Sequence, residues 1–495
     1  MKHRIFKHIG IFLVLSTGAL PASDRIRGPL RVHPKNPRYF TDDGVRAVYL
    51  TGSHTWANFQ DVGSEGAPLF PYDEYLDFMQ NHNHNFMRFW TWEQPSRAPW
   101  TEDPLIFSPM PYRRTGPGKA PDGLPKFNLD EWNPDYFSRL RERLVRAGEH
   151  GIYTAVMLFQ GFSLNKTGSA YGDPWITHPY NPKNNIQKTG AGVLGIPDED
   201  GKPTLHSLLN ADVLARQEAY AKKVIETVND LDNVLYEIIN EGGATDWQIR
   251  MIDFIHRTES GMAKRHPVGM TNRIAPAQYN RQLFASPADW ISPAGEPQDW
   301  LVPGSVCLEN YREDPPTADG TKVVISDTDH LWGHGGNAKW VWKSFCRGLN
   351  TLFMDPWWPL GGRVDPVKAA WIFIGGLCKD FRDYPDWEPV RDAMGQTARF
   401  AERIDLASMT PRNDLASTRY CLARPGKEYL VYFPEGGPAT IDLLGVSADF
   451  RMEWFIPSLD RTLTVETVLK GGDFRAVTAP FTGDAVLYLT AVNAR

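Results

Sequence analysis

The feature that most constrains this chain is a regular alternation of two sequence patterns between about residue 45 and residue 405. Short apolar runs rich in β-branched and aromatic residues alternate there with amphipathic stretches of helical period, which is typical of βα units and a parallel sheet. No glycine-rich phosphate loop follows any apolar run, and eight runs fit a closed (β/α)8 TIM barrel better than a doubly wound open sheet. The predicted strands are Ala47–Gly52, Asn85–Trp90, Tyr153–Phe159, Val234–Asn240, Pro267–Thr271, Trp290–Ser292, Lys322–Asp327 and Thr351–Asp355.

Two long connections interrupt this alternation, and it ends where the helical period disappears from the sequence. Residues 93–130 and 161–210 follow predicted strands and are rich in Pro, Gly, Asn and aromatic residues. The loops after barrel strands build the active-site face, so both segments are expected to shape a substrate site. Beyond residue 404, short alternating runs replace the helical period. We therefore predict an α/β fold with a (β/α)8 barrel over residues 24–404 and a small C-terminal antiparallel β-sandwich domain over residues 405–495.

The N-terminus and the bulk composition restrict the location and the partners of the protein. Residues 1–23 combine a basic start, a short apolar stretch and a small-residue exit, which predicts a signal peptide. We therefore expect the mature protein to be secreted or periplasmic. The net charge of −6 offers no basic surface for nucleic acid or an anionic membrane. The four cysteines follow no zinc motif or disulfide scaffold, so buried free thiols are expected, and a single bridge between two of them is the alternative in an oxidising compartment.

The end of the fourth predicted strand carries the strongest chemical signal. The apolar run from Val234 ends in Asn240 and Glu241, and two glycines follow at once. In a barrel this position places a carboxylate at the catalytic mouth. Glycosidic cleavage needs one carboxylic acid to protonate the leaving oxygen and a second carboxylate across the bond, which makes Glu241 a candidate acid/base. A structural ion pair is the alternative reading of Glu241, and Glu237, deeper in the strand, is expected to pair within the barrel.

These residues resemble the glycoside hydrolases of clan A, the superfamily that includes family 5 cellulases and mannanases. The Asn240-Glu241 pair is similar to the end of that clan's fourth strand, and Arg88 resembles its strand-two arginine, which supports the nucleophile. The segment from Tyr49 to Trp56, which contains His54, resembles the first strand of the apiosidase-like bacterial hydrolases of the same superfamily. The C-terminal module also resembles the β-sandwich that often follows such barrels. The resemblance implies a retaining hydrolase of a poly- or oligosaccharide that requires no cofactor.

The seventh predicted strand departs from the clan, which keeps a Glu nucleophile there. This sequence has Asp327 directly after the β-branched run and Asp329 two residues later. We expect Asp327 to be the nucleophile in preference to Asp329, with Glu296 in reserve. Retaining enzymes hold their carboxyls about 5–5.5 Å apart and inverting ones about 6.5–9.5 Å, so the shorter Asp side chain leaves inversion open.

Other side chains near the predicted mouth are candidates for substrate binding. The chain has 17 tryptophans, and an aromatic face suits the C–H groups of a sugar while the indole N–H serves a hydroxyl. In clan A a Trp after strand eight forms the floor beneath the sugar, and Trp357 or Trp358 resembles it. The full predicted binding set is His54, Trp56, Arg88, Trp90, Trp92, Glu93, Asn240, Glu296, His330, Trp332, Trp357 and Trp358.

Two other functions compete with the glycosidase reading. Asp327, Asp329, His330 and His334 lie within eight residues and could hold a divalent metal that activates water, although their spacing matches no zinc signature. A non-catalytic carbohydrate-binding barrel that has lost its Glu nucleophile is the other alternative. We therefore predict that the protein acts on a carbohydrate substrate, binds no metal, and has no nucleic-acid or membrane partner. The identity of the sugar, the linkage and the oligomeric state stay open.

Overall fold

The computed structural model describes residues 26–169, 171–195, 204–272, 278–294, 311–332, 335–363 and 380–492. The predicted signal peptide, Glu296 and His334 lie outside these residues. Eight parallel strands form one sheet, as predicted, in the neighbour order β1-β8-β7-β6-β5-β4-β3-β2. They are β1 (Thr51–His54), β2 (Phe86–Phe89), β3 (Tyr153–Gln160), β4 (Val234–Asn240), β5 (Val268–Thr271), β6 (Trp290–Ser292), β7 (Val323–Asp327) and β8 (Asn350–Met354).

The two ends of the sheet meet between β1 and β2. The backbone N–H of Asn85 donates to the carbonyl of Thr51 at 3.0 Å, and the Asn85 side chain accepts from Thr51 N at 2.9 Å. The eight strands therefore form a barrel. All eight are buried along their whole length, which is why they appear in the sequence as continuous apolar runs and not as alternating ones.

Helices cover the outside of the barrel. They are α1 (Tyr72–Asn81), α2 (Pro134–Glu149), α3 (Ala211–Val228), α4 (Thr245–Glu259), α5 (Gln278–Ala285), α6 (Ala338–Cys346) and α7 (Glu388–Arg403). The predicted stripes face inward: Tyr75, Leu76 and Met79 of α1 are fully buried. None of the described helices is long and apolar enough to cross a membrane.

Large side chains fill the barrel interior below the mouth. Leu235, Trp290 and Leu352 belong to one buried cluster contributed by different strands. Gly269 of β5 pairs with Trp290 of β6, and a Cβ at Gly269 would lie 1.9 Å from the Trp290 ring. The glycine therefore makes room for the indole, and the barrel has a packed floor that keeps polar chemistry at the opposite, C-terminal end.

The C-terminal region is a β-sandwich, as predicted. Six antiparallel strands form one sheet: β9 (Thr410–Pro411), β10 (Cys421–Arg424), β11 (Glu428–Phe433), β16 (Ala485–Ala491), β13 (Phe450–Ile456) and β14 (Arg461–Leu469). A second sheet pairs β12 (Pro438–Asp442) with β15 (Phe474–Thr478). The architecture changes between the end of α7 and the start of β9; the domain limits at 404 and 405 stay a prediction. Cys346 and Cys421 are buried free thiols, while Cys307 and Cys378 lie outside the described residues.

Candidate active site

Arg88 is the centre of a polar cluster at the C-terminal mouth of the barrel. Its guanidinium donates to both carboxylate oxygens of Glu237, at 2.7 and 2.5 Å, to Asp327 Oδ2 at 2.7 Å and to Asn240 Oδ1 at 2.7 Å. Burial alone would lower the pKa of Arg88, but the charges of Glu237 and Asp327 outweigh it and raise that pKa. Glu237 thus pairs within the barrel, as expected, and Arg88 ties β2 to β4 and β7.

Asp327 is fully buried and bonded on both oxygens. Its Oδ1 accepts from His54 Nε2 at 3.1 Å and from Asp329 N at 2.9 Å, while Oδ2 accepts from Arg88. Burial would raise the pKa of Asp327, but His54 and Arg88 hold it well below its ordinary value. The ionised carboxylate only accepts, so His54 carries its proton on Nε2. His54 Nδ1 is then an acceptor, and it has no partner among the described residues.

The chain turns directly after Asp327. The strand ends there, and Thr328–His330 form a single 3-10 turn that the Asp327 side chain caps. A continued strand would have placed Asp327 and Asp329 on the same face; the turn instead gives the two carboxylates different environments.

Asp329 has the environment opposite to that of Asp327. Its Oδ2 is buried and accepts no hydrogen bond from any described residue. The nearest basic groups, Arg88 Nη1 and His330 Nε2, are 3.7 and 3.8 Å away. Burial raises the pKa of Asp329 well above its ordinary value, and the negative charges of Glu241 and Asp327 raise it further. Asp329 follows β7 and Glu241 follows β4, so both carboxyls lie at the C-terminal mouth of the barrel.

His330 lies between Asn240 and β6. Its Nε2 is 3.4 Å from Asn240 Oδ1, and its Nδ1 is 3.2 Å from Ser292 Oγ. Burial lowers the pKa of His330 to about 3, so the ring is neutral at physiological pH. Both ring nitrogens therefore have polar neighbours that orient the imidazole. Ser292 was not singled out from the sequence, because its short strand carries no pattern that distinguishes it from other buried serines.

The backbone of Glu241 adopts a left-handed conformation, with φ +53°, that L-residues rarely occupy. The loop after β3 fixes this turn. Gly161 N donates to Asn240 O at 2.7 Å, and Asn165 Nδ2 donates to Glu241 O at 2.7 Å. A Cβ at Gly161 would lie 2.5 Å from Glu241 O, so only glycine permits this approach. A strained backbone held from outside is typical of functional positions.

An aromatic cluster lies beside the polar one. The Trp90 ring centroid is 5.3 Å from the Arg88 guanidinium carbon, and the Trp90 Nε1 donor has no partner among the described residues. Trp56 and Trp92 pack against Trp90 with ring centroids 6.5 and 5.9 Å away, and Trp92 Nε1 donates to Trp56 O. All three rings are buried. Trp90 is the one in direct contact with the polar cluster through Arg88.

Glu93 holds a loop. Its Oε2 accepts from His178 Nε2 at 3.1 Å, and its Oε1 accepts from His206 Nε2 at 2.9 Å and from Gln160 N at 2.7 Å. Burial would raise the pKa of Glu93, but His206 and His178 outweigh it and lower it to about 2. Glu93 thereby anchors the long connection after β3 on the barrel. Sequence reasoning missed both histidines, since neither stands in a recognisable motif and both are far along the chain.

The rings of three other tryptophans that were predicted to bind substrate contact residues outside the polar cluster around Arg88. Trp357 packs on α1, 5.1 Å from the Tyr75 ring, and is buried. Trp358 is half-buried, with its ring 5.2 Å from the Arg382 guanidinium carbon. Trp332 packs edge-on against Trp340 at 5.3 Å. Their roles in substrate binding stay predictions.

The sequence leaves open a metal-binding arrangement in the segment after β7. Among the described residues, the group whose possible ligand atoms lie within 4.8 Å of one another is His82, Glu388 and Asp392, where α1 meets α7. Asp327, Asp329 and His330 do not form such a group there, and His334 lies outside the described residues. The arrangement of this segment therefore does not favour the metal alternative.

Comparison with known proteins adds to the description of the fold. No protein-family model and no curated protein matches this sequence. A solved structure described as a glycoside hydrolase is 14% identical, with a TM-score of 0.62, over 96% of this chain and 99% of that chain. A glycoside hydrolase of family 5 from Bacteroides vulgatus is 14% identical, with a TM-score of 0.58, over 97% of this chain and 95% of that chain. At this identity the likeness shows a shared fold over nearly the whole chain.

Proposed function

We propose that this protein is a clan A glycoside hydrolase that cleaves an O-glycosidic bond of a poly- or oligosaccharide with retention of configuration. The observation that carries the proposal is that Glu241 directly follows β4 and Asp329 follows β7, so that both carboxyls lie at the C-terminal mouth of the barrel, where the charge of Glu241 raises the pKa of Asp329. Two carboxyls at one mouth supply the acid and the ionised carboxylate that this reaction needs. The fold shared with glycoside hydrolases supports the same conclusion.

The mechanism follows from this pair. The ionised aspartate attacks the anomeric carbon while the Glu241 carboxylic acid protonates the leaving oxygen, so the glycosidic C–O bond breaks as an ester forms. Glu241, now ionised, takes a proton from water, and the water oxygen attacks the anomeric carbon and releases the aspartate. Protons and bonds balance without a cofactor.

Polar groups beside Arg88 provide the contacts to a sugar. Because Asn240 Oδ1 accepts from Arg88, Asn240 Nδ2 points its donors away from the guanidinium, and Nδ2 has no partner among the described residues. Trp90 Nε1 and His54 Nδ1 add a further donor and an acceptor without partners there. Buried polar groups normally have partners, so this set favours a hydroxyl-rich ligand.

A glycan panel tests the proposal. We expect the wild-type protein to release sugar from at least one substrate and Glu241→Gln to be slower on the order of 10³-fold or more, within the range lost with a general acid and its positioning. Glu435→Gln, an exposed change on the sandwich, is the matched control and should keep full activity. Proton NMR of the first product should show the anomeric configuration of the substrate. A wild-type protein that binds a glycan but hydrolyses none would support the non-catalytic alternative.

Two further expectations belong to this proposal. Activity should be unchanged by a chelator, whereas the metal-dependent alternative predicts its loss. We also propose export after removal of residues 1–23. Sequencing the N-terminus of protein recovered from the medium or periplasm tests this, and an intact N-terminus on protein kept in the cytoplasm would contradict it.

A further inference from the structure

We infer that Asp329, and not Asp327, is the catalytic carboxylate opposite Glu241, and that Asp327 is a positioning residue. This inference rests on the proposed glycosidase function. It reverses the order expected from the sequence, where Asp327 stands at the end of the strand in the place of the clan's nucleophile.

Hydrogen bonds within the protein hold both oxygens of Asp327. Three donors use its two oxygens: Arg88 Nη1, His54 Nε2 and the backbone N–H of Asp329. An attack on a sugar carbon by Asp327 would compete with its bonds to a buried guanidinium and to the turn that it caps. Uncompensated buried charges are strongly unfavourable, so these contacts favour a fixed Asp327.

Asp329 is held by none of these donors. Its Oδ2 is buried without a hydrogen-bond donor among the described residues, and the closest guanidinium nitrogen is 3.7 Å away. Asp329 lies in the turn beyond β7, whereas Asp327 is the last residue of that strand. A carboxylate oxygen without a donor is the one that is available to a substrate.

The charges of the three carboxylates fit this division. Arg88 and His54 stabilise ionised Asp327, whereas Asp329 is raised in pKa by burial and by Glu241. In the proposed reaction Glu241 gives its proton to the leaving oxygen, and ionised Asp329 forms the ester. Asp327 keeps Arg88, and through it Asn240, in place.

Stability measurements separate the two aspartates without any substrate. We expect Asp327→Asn to lower the melting temperature by several degrees, because Arg88 loses a charged partner. Asp329→Asn should leave it unchanged or raise it at pH 7, because the amide replaces a carboxyl whose ionisation is disfavoured by burial and by Glu241. A carboxyl whose pKa is higher in the folded than in the unfolded protein destabilises the fold at pH values above its unfolded-state pKa. Any gain in the melting temperature of Asp329→Asn should therefore vanish below about pH 4, where the carboxyl is protonated in both states. A loss in Asp329→Asn as large as that in Asp327→Asn would contradict the inference.

Chemical rescue tests the catalytic roles. The probes are 2,4-dinitrophenyl glycosides of neutral hexoses and pentoses, both anomers, whose leaving group needs no acid. We expect Asp329→Gly to lose on the order of 10⁴-fold or more, and sodium azide to restore turnover as a glycosyl azide of inverted configuration. Asp327→Gly should lose activity without rescue, and Asp327→Asn should keep the pH profile shape of the wild type. Glu241→Ala should give a glycosyl azide of retained configuration.

The outcomes distinguish this inference from the function on which it rests. A glycosyl azide formed by Asp327→Gly and not by Asp329→Gly would overturn the assignment while leaving the glycosidase intact. A wild-type protein inert on every aryl glycoside and every glycan would instead overturn the proposed function.

Discussion

Arg88 carries a positive charge where water does not reach, and its planar fork sets the geometry of the whole mouth. It holds Glu237, Asp327 and Asn240 at once, from two other strands of the barrel. A lysine keeps the charge but offers a single rotatable ammonium, which cannot reproduce two bonds to one carboxylate and two more to other residues.

Arg88→Lys tests this arrangement. We expect a free energy of unfolding lower by roughly 1–3 kcal/mol, since buried acceptors lose donors, and a kcat lower on the order of 100-fold, since the catalytic groups shift. Urea denaturation and steady-state kinetics measure the two effects. Arg347→Lys is the matched control, because Arg347 is also buried and bonds Asp314 and a backbone carbonyl far from the mouth. It should lose stability and keep kcat; equal kinetic losses in both variants would contradict the role of Arg88.

At the scale of elements, the barrel could be predicted because its signal is local and repeated. Even β5 and β6, with four and three residues, were placed from apolar runs alone. The different environments of Asp327 and Asp329 could not be predicted, because alternation along a strand treats both positions alike. The 3-10 turn that separates them is stabilised by Asp327 itself, and Asp327 receives its donors from β1 and β2.

The contacts of the loop after β3 could not be predicted from the sequence either. Glu93 appeared to be a substrate contact because it follows a strand, yet its oxygens are used by His178 and His206. These contacts join segments 85 and 113 residues apart. No local pattern specifies such pairs, since they depend on how a long connection folds back over the mouth.

Glu93→Gln should loosen this loop in a pH-dependent way. The pKa of Glu93 is lowered from 4.5 to about 2, a difference of about 3 kcal/mol in favour of the ionised form. A lowered carboxyl pKa contributes stability above the unfolded-state pKa, and that stability is lost as pH falls from about 4.3 towards 2. The variant should therefore be less stable than wild type at pH 7 and approach it only near pH 2. Proteolysis within residues 161–195 and urea denaturation measure this; Glu142→Gln, exposed on α2, is the control, and a pH-independent difference would contradict it.

At the scale of the whole molecule, the barrel and the sandwich share one apolar core. Trp342 of α6 is fully buried, and its ring lies 5.4 Å from Phe400 of α7, 6.0 Å from Tyr432 and 5.8 Å from Phe455 of the sandwich. Helix α6 packs on β8 and α7 packs on β1 and β8, so the sandwich supports β1, which carries His54, and β8, which contacts the turn after β7. A core that crosses two regions couples their unfolding.

Trp342→Ala tests that coupling. Removing a fully buried indole costs about 3–5 kcal/mol through lost burial and the cavity left behind. Because the ring contacts both regions, we expect calorimetry to give one transition in the wild type and one transition, at a lower temperature, in the variant. Phe474→Ala, which removes a ring that is 53% exposed on the sandwich surface, is the control and should leave the transition almost unchanged. If Trp342→Ala instead divided the melting curve, or shifted only one of two wild-type transitions, the barrel would be stable without the sandwich, and the C-terminal region would have to be explained by binding rather than by support.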